Sequence, residues 1–365
     1  MSIRMVFAVP TLAATLFAQQ TTEQSTLWSI DANGHRVDSA RYATTESPAG
    51  SQRVETVQSI NGRMVPLQVN EDRVLSQDPR NKVVERIIRK YDANGNLGLP
   101  IKVRIEETRN PDGSATIRST AYESDINGNL QIFERTITEV RKSPSATATS
   151  VNVERATLNG GLSPVQRIQS IERPTAGGSQ LESTTYTRDV SGSFTPSAQD
   201  VKQITKRGTE ETTDVVHYEL DPYGKLALYS RAIDRLKVNP DGSQLTETDV
   251  YSKFSAGKTG DVNADQPRLQ EQIRKQRVPG PGGVTVETTS VRSRLPNDQS
   301  RFGNYETVGQ TTYRKAAGPR ELQSSESVRG RRDPNGEIAP LEGTTVQTVT
   351  IKPPAPPPAP APKQP

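Results

Sequence analysis

Turn signals recur along this chain at a nearly constant interval, and that recurrence constrains the fold more than any other feature. One series, marked mostly by proline or a nearby glycine, falls at Pro48, Pro79, Pro111, Pro144, Ala176, Thr209, Pro240, Gly280 and Pro319. A second series lies midway, on Gly34, Gly62, Gly95, Gly128, Gly160, Gly192, Gly224, Gly257 and Gly336. From Gly62 to Gly257 its spacing is 33, 33, 32, 32, 32 and 33 residues. Self-similarity at a fixed period is the mark of a repeat architecture.

Each repeat reads as strand, tight turn, strand, turn. Asn110-Pro111-Asp112-Gly113 and Asn239-Pro240-Asp241-Gly242 place proline where a type I turn wants its fixed φ, and glycine where a bulge wants positive φ. Asp31-Ala32-Asn33-Gly34, Asp92-Ala93-Asn94-Gly95 and Asp125-Ile126-Asn127-Gly128 add an aspartate able to close an Asx-type turn. Between turns the segments are rich in β-branched residues. Leu97, Leu99, Ile101, Val103 and Ile105 alternate with polar or small neighbours, the period of a half-buried strand. Proline also returns four residues after the mid-repeat glycine, at Pro66, Pro164, Pro196 and Pro340, with Pro100 one place later. Proline cannot donate to a ladder, so a bend, bulge or unpaired arm is expected there, with full pairing only beyond it.

The predicted fold is therefore all-β: an elongated antiparallel meander of about nine stacked β-hairpin repeats, with a β-propeller as the alternative. The expected division is a signal peptide over 1–18, a half-repeat over 19–47, the hairpin domain over 48–352 and a Pro-rich tail over 353–365. Composition supports thin structure. The hydrophobic content is 31%, against roughly 45–50% in ordinary domains. With no cysteine, disulfides, thiolate metal sites and cysteine nucleophiles are excluded. A net charge of +4 spread along the chain gives no nucleic-acid signature.

The ends point to export. Arg4 followed by a mostly apolar run to Ala18 fits a secretory signal peptide and is too short for a stable membrane span. The location expected from it is periplasmic or extracellular, with no transmembrane span in the mature chain. The last 13 residues hold eight prolines, which makes a polyproline rod or a solubilising terminus. A transmembrane barrel is disfavoured, because strands rich in Thr, Ser, Arg and Glu show no apolar lipid face.

Tyr91-Asp92-Ala93-Asn94-Gly95-Asn96-Leu97 resembles the core of a YD repeat, the hairpin unit of Rhs-type secreted bacterial proteins, with partial echoes at Asp125–Leu130 and Asp221–Leu226. That resemblance implies β-sheet shells or filaments, some enclosing a toxin and some adhesive. Here the period is longer than that family's usual unit, and no toxin-like domain follows.

Aromatic residues recur with the repeat. Trp28, Tyr122, Tyr186, Tyr218 and Tyr251 each lie six residues before their turn glycine, with gaps at Thr56, Arg89, Glu154 and Gly330. Stacked hairpins would line them up about 10 Å apart, either as a platform for sugar rings or as the repeat's hydrophobic cover. Calcium at the Asp-x-Asn-Gly turns is disfavoured, since each turn supplies only two or three oxygens. Acids and arginines alternate on many strands, as at Glu134-Arg135, Glu139 with Arg141 and Arg231 with Asp234, which cross-strand ion pairs on a solvated face explain. His35 and His217 read as structural, no nucleophile elbow or phosphate loop is present, and no catalytic residue, metal site or cofactor is assigned. The function expected is an exported, non-enzymatic structural or binding protein of the envelope, with polysaccharide or an envelope protein as partner. Specificity is expected on the sheet face or in the longer loops near 257–267 and 296–303. The alternative is a secreted enzyme acting on polysaccharide.

Overall fold

The computed structural model describes residues 20–31, 33–46, 51–60, 63–92, 94–125, 127–221, 223–252, 267–295, 298–316, 320–332 and 338–351. The signal-peptide segment, the Pro-rich tail and most of the 257–267 loop lie outside them.

Local structure follows the turn chemistry closely. Strands run β1 (Gln20–Ile30), β2 (Arg36–Glu46), β3 (Gln52–Ile60), β4 (Arg63–Gln77), β5 (Asn81–Lys90), β6 (Ile101–Arg109), β7 (Ala115–Ser124), β8 (Leu130–Lys142), β9 (Thr147–Ala156) and β10 (Leu162–Thr175). They continue as β11 (Gly178–Arg188), β12 (Phe194–Arg207), β13 (Glu210–Leu220), β14 (Leu226–Val238), β15 (Gln244–Ser252) and β16 (Arg268–Pro279). The last are β17 (Val284–Leu295), β18 (Asp298–Phe302), β19 (Glu306–Ala316), β20 (Arg320–Arg332) and β21 (Ile338–Ile351). At the Asp92 turn, Gly95 adopts φ 83° and donates its N–H to the Asp92 carbonyl at 3.0 Å. The Asp92 carboxylate accepts the N–H groups of Asn94 and Asn96, both at 2.8 Å. Those backbone donors hold the Asp92 carboxyl below the usual carboxylate range. The turn acids are thus occupied by their own loops.

The arrangement of the hairpins differs from the expected meander and propeller. β1 pairs antiparallel with β21, from Gln20↔Ile351 to Ser29↔Glu342, so the sheet closes on itself. Each remaining strand pairs with its neighbours in chain order, except that β17 pairs with both β18 and β19. β18 is a spur on β17, and the other 20 strands form a closed antiparallel barrel. Successive register partners traced once around the ring return to β1 about 20 residues along, a stagger that tilts the strands by roughly 35°. The individual hairpins are as predicted; the hairpin-repeat stack and its YD-like shell or filament are replaced by one ring. A linear stack would leave the outer edges of β1 and β21 unpaired, and pairing them satisfies both.

Closure also explains the thin core. A circular ring of this size is about 37 Å across between strand axes, too wide for side chains to meet at the centre. Among the described residues only Trp28, Val69 and Ile87 are buried hydrophobics. Register sorts the side chains onto two faces. One carries Tyr218, Val216 and Asp214 of β13 beside Arg231, Ile233 and Arg235 of β14. The other carries His217, Val215 and Thr213 beside Ser230, Ala232 and Asp234. Charged pairs occupy both faces: Arg231–Asp214 at 2.6 Å and Arg135–Glu154 at 2.6 Å on the first, Arg86–Asp72 at 2.7 Å and Arg155–Glu134 at 3.0 Å on the second. Neither face is an apolar band of the kind a lipid-facing wall requires. No helix among the described residues is long and apolar enough to cross a membrane. Arg231 pairs with Asp214 rather than with Asp234, whose carboxylate accepts the Thr248 hydroxyl at 2.6 Å.

The recurring prolines sit at register shifts. Pro66, Pro164, Pro196 and Pro340 pair with Val57, Glu154, Tyr186 and Gly330, and the next residue on the proline's strand is the extra one of a β-bulge. The arms before these prolines remain paired, contrary to the expectation of pairing only beyond them. Gly98–Pro100 lie outside any strand, yet the Pro100 arm is still tied back by a Tyr91–Leu97 bridge and by the Gly98 N–H donating to the Lys90 carbonyl at 2.7 Å.

The seam rests on one packing contact. Trp28 is 4% exposed and lies opposite Gly343, where an added Cβ would stand 2.3 Å from the indole ring. The Arg36 guanidinium covers the ring 4.4 Å from its centroid. The indole Nε1 has no hydrogen-bond partner, so burial of the ring's apolar area outweighs an orphaned donor. Trp28→Ala is expected to destabilise the barrel by about 3 kcal/mol, and Gly343→Val to do so by clash. Urea denaturation followed by far-UV circular dichroism measures both; unchanged midpoints would remove the contact from the seam.

Candidate functional site

The five recurrent aromatics lie on the first strands of their hairpins, β1, β7, β11, β13 and β15, and every one falls at a register shift. The shifts occur at Leu27/Trp28, Ala121/Tyr122, Thr185/Tyr186, His217/Tyr218 and Val250/Tyr251. A bulge sets two residues of one strand against a single residue of the other and re-aims side chains locally. Each ring is that single residue, so the spacing seen in sequence and the bulge are one feature. In β5–β6 the continuous ladder ends at Ile88↔Ile101, and an isolated bridge between Tyr91 and Leu97 resumes the pairing one residue out of that register.

Register puts Tyr186, Tyr218 and Tyr251 on the same face of β11, β13 and β15, two strands apart and near one rim. All four tyrosines are half-buried, with Gln199 and Arg231 on the strands between the last three. Trp28 differs: its buried ring is part of the seam and not an open surface. Among the described residues the single ring-on-ring contact is His217 against Tyr229, with centroids 6.0 Å apart and planes at 88°. The tyrosines therefore do not stack on one another, and their cover comes from the polar side chains alongside.

The sequence leaves His217 as an isolated structural residue, and the barrel gives it two partners. Its Nδ1 lies 2.7 Å from an Asp200 oxygen on β12, and its Nε2 lies 3.0 Å from a Glu219 oxygen two residues along β13. Burial lowers the imidazole pKa, but the hydrogen bonds to Glu219 and Asp200 outweigh it, and the net direction is upward. Both ring nitrogens face carboxylate acceptors, an arrangement that favours the imidazolium. Spacing gave a partial signal, because Glu219 at i+2 shares its face; Asp200 is brought in only by the β12–β13 register. His35 stays exposed, 3.8 Å from Asp31. No group of three or more metal-ligating side chains occurs among the described residues.

Because the folded pKa of His217 is raised, its contribution to stability is complete below the unfolded value of about 6.5 and is lost as pH rises through the folded value. The difference in urea stability between the wild type and His217→Gln is expected to shrink from pH 6 to pH 9. A difference that stays flat or grows over that range would contradict the paired imidazolium.

No protein-family model and no curated protein matches the chain. Among solved structures, a doubly substituted porin of Rh. blastica is similar over 91% of this chain and 98% of its own, with 8% identity and a TM-score of 0.42. The siderophore receptor PirA of Acinetobacter baumannii gives 93% and 81%, with 6% identity and a TM-score of 0.45. OccK2 of Pseudomonas aeruginosa gives 92% and 96%, with 10% identity and a TM-score of 0.45. Superpositions this loose carry no argument about function, and the barrel stands on the strand register itself.

Proposed function

We propose that the protein is an exported, non-enzymatic component of the cell envelope that holds polysaccharide along the tyrosine row of its barrel wall. The observation that carries this reading is the placement of Tyr186, Tyr218 and Tyr251 on one face, half-exposed, each at the same bulge of its hairpin and none stacked on another. An aromatic ring offers an apolar body and, in tyrosine, a polar tip, which suits the alternating apolar and hydroxyl surfaces of a sugar. A spacing of about 10 Å between alternate strands matches contact with successive units of a chain rather than with one small molecule. The leader-like segment over 1–18 supports export. Charge on both faces of the wall argues for aqueous surroundings over immersion in lipid.

The competing reading, an enzyme acting on polysaccharide, gains no support from His217, since carboxylates engage both its nitrogens. Affinity electrophoresis through gels containing dextran, xylan or polygalacturonate tests the binding reading. At least one polymer is expected to retard the wild type, and Tyr186→Ala, Tyr218→Ala and Tyr251→Ala combined are expected to weaken retention tenfold or more while circular dichroism stays native. Unchanged retention in the folded triple variant would defeat the tyrosine row. Release of reducing ends from the polymer would defeat the non-enzymatic assignment.

A further inference from the structure

The hairpin rhythm is broken once among the described residues, at β18, and that insertion brings two aromatic rings onto a group of arginines. The guanidinium of Arg292 on β17 lies 4.6 Å from the ring centroid of Tyr305 and 5.7 Å from that of Phe302. Arg294 lies 5.1 Å from Phe302, and Arg274 of β16 lies 4.5 Å from Tyr305. These rings hold the guanidinium planes in place by cation–π attraction.

The carboxylates nearby are already engaged. Glu247 takes Arg274 at 2.7 Å, and the buried Asp249 takes Arg235 at 2.7 Å and the Gln272 amide. Arg292 and Arg294 have no carboxylate within ion-pairing distance among the described residues. Each is instead fixed through its Nε alone: Arg292 donates to the Gln272 side-chain oxygen at 2.7 Å, and Arg294 donates to the Leu269 carbonyl. A guanidinium carries five N–H donors, so their terminal nitrogens remain as two pre-oriented forks, suited to oxyanions.

We infer that Arg292 and Arg294 form an anion-binding site for acidic groups carried on a polysaccharide. The inference rests on the polysaccharide reading above and names the polymer's charge. Leu269, which anchors Arg294, is the register partner of Tyr251, so the site continues the row of Tyr186, Tyr218 and Tyr251. The site lies on open wall. Two shallow depressions, of about 420 and 260 Å³, lie elsewhere, one lined by Pro164, Arg188 and Gly192 and the other by Ile88, Pro100 and Ser124. A single exposed ion contact contributes about 0–1 kcal/mol, too little to retain a small ion. Anions repeated along a polymer bind through several contacts at once.

The test is affinity electrophoresis of the full chain in polygalacturonate, in neutral dextran and without polymer, with inorganic phosphate and single-stranded DNA as competitors. The wild type is expected to bind polygalacturonate, and Arg292→Gln with Arg294→Gln to weaken it at least tenfold, with Arg301→Gln combined with Arg331→Gln as a charge-matched control that does not. Added salt is expected to weaken wild-type binding more than that of the double variant. Native circular dichroism in the double variant is the condition for reading the result. Equal binding by wild type and double variant overturns the inference. Dextran binding without polygalacturonate binding overturns it too and leaves the tyrosine reading standing, whereas binding of no polymer defeats that reading itself. Competition by phosphate at concentrations matching the polymer's charged groups overturns the polymeric ligand. DNA displacing polygalacturonate at lower concentration overturns the saccharide.

Discussion

The ladder between β1 and β21 is the contact on which the rest of this structure depends. Every other pairing joins strands close in sequence and would survive in an open sheet. This one joins Gln20–Ser29 to Glu342–Ile351 across almost the whole chain. Bringing such distant segments together costs chain entropy that grows only slowly with length, and the return is the removal of both sheet edges. Trp28 over Gly343 seals the junction where the backbones approach closely. A side chain at position 343 would have to displace either the indole or the strand.

A ring this wide cannot have a conventional core, and that settles how its side chains behave. Both faces are half-exposed, so lateral contacts replace packing in depth. Cross-strand ion pairs such as Arg231–Asp214 and Arg135–Glu154 and the turn carboxylates satisfy polar groups within the sheet surface. Bulges then break the regularity at one height in hairpin after hairpin, and the aromatic residues sit at those breaks. The candidate binding row is thus a by-product of the same backbone irregularity that accommodates Pro66, Pro164, Pro196 and Pro340. Its end is marked by the β18 spur, the one described place where added chain supplies new rings, Phe302 and Tyr305, to arginines on neighbouring strands.

Much of this was legible locally. The Asp-x-Asn-Gly spacing announced turns in which glycine takes positive φ, and Gly34, Gly95 and Gly128 do so. The recurrent proline marked an irregularity without saying whether it was a bend, a bulge or an unpaired arm, and the six-residue offset placed the tyrosines on one face. What could not be read were contacts that depend on register across two or more strands. Trp28 fits the same offset as the tyrosines, yet its strand has β21 as a second neighbour, so its ring is buried and not part of an open platform. Asp200 reaches His217 only because β12 and β13 pair in that register. Arg292 and Arg294 are ordinary strand arginines until Phe302 and Tyr305 fold back over them.

The sequence by itself determined the all-β class, the hairpin unit, the positions of its turns, and the sparse apolar content that forbids a thick core. Each of these is set by φ preferences, missing donors and side-chain period within a few residues. Only the tertiary structure decided between an elongated stack and a closed barrel. Each hairpin looks the same in either case; what differs is the stagger summed over 20 strands, which brings β1 beside β21. That sum is a property of the whole ring, and no single repeat encodes it.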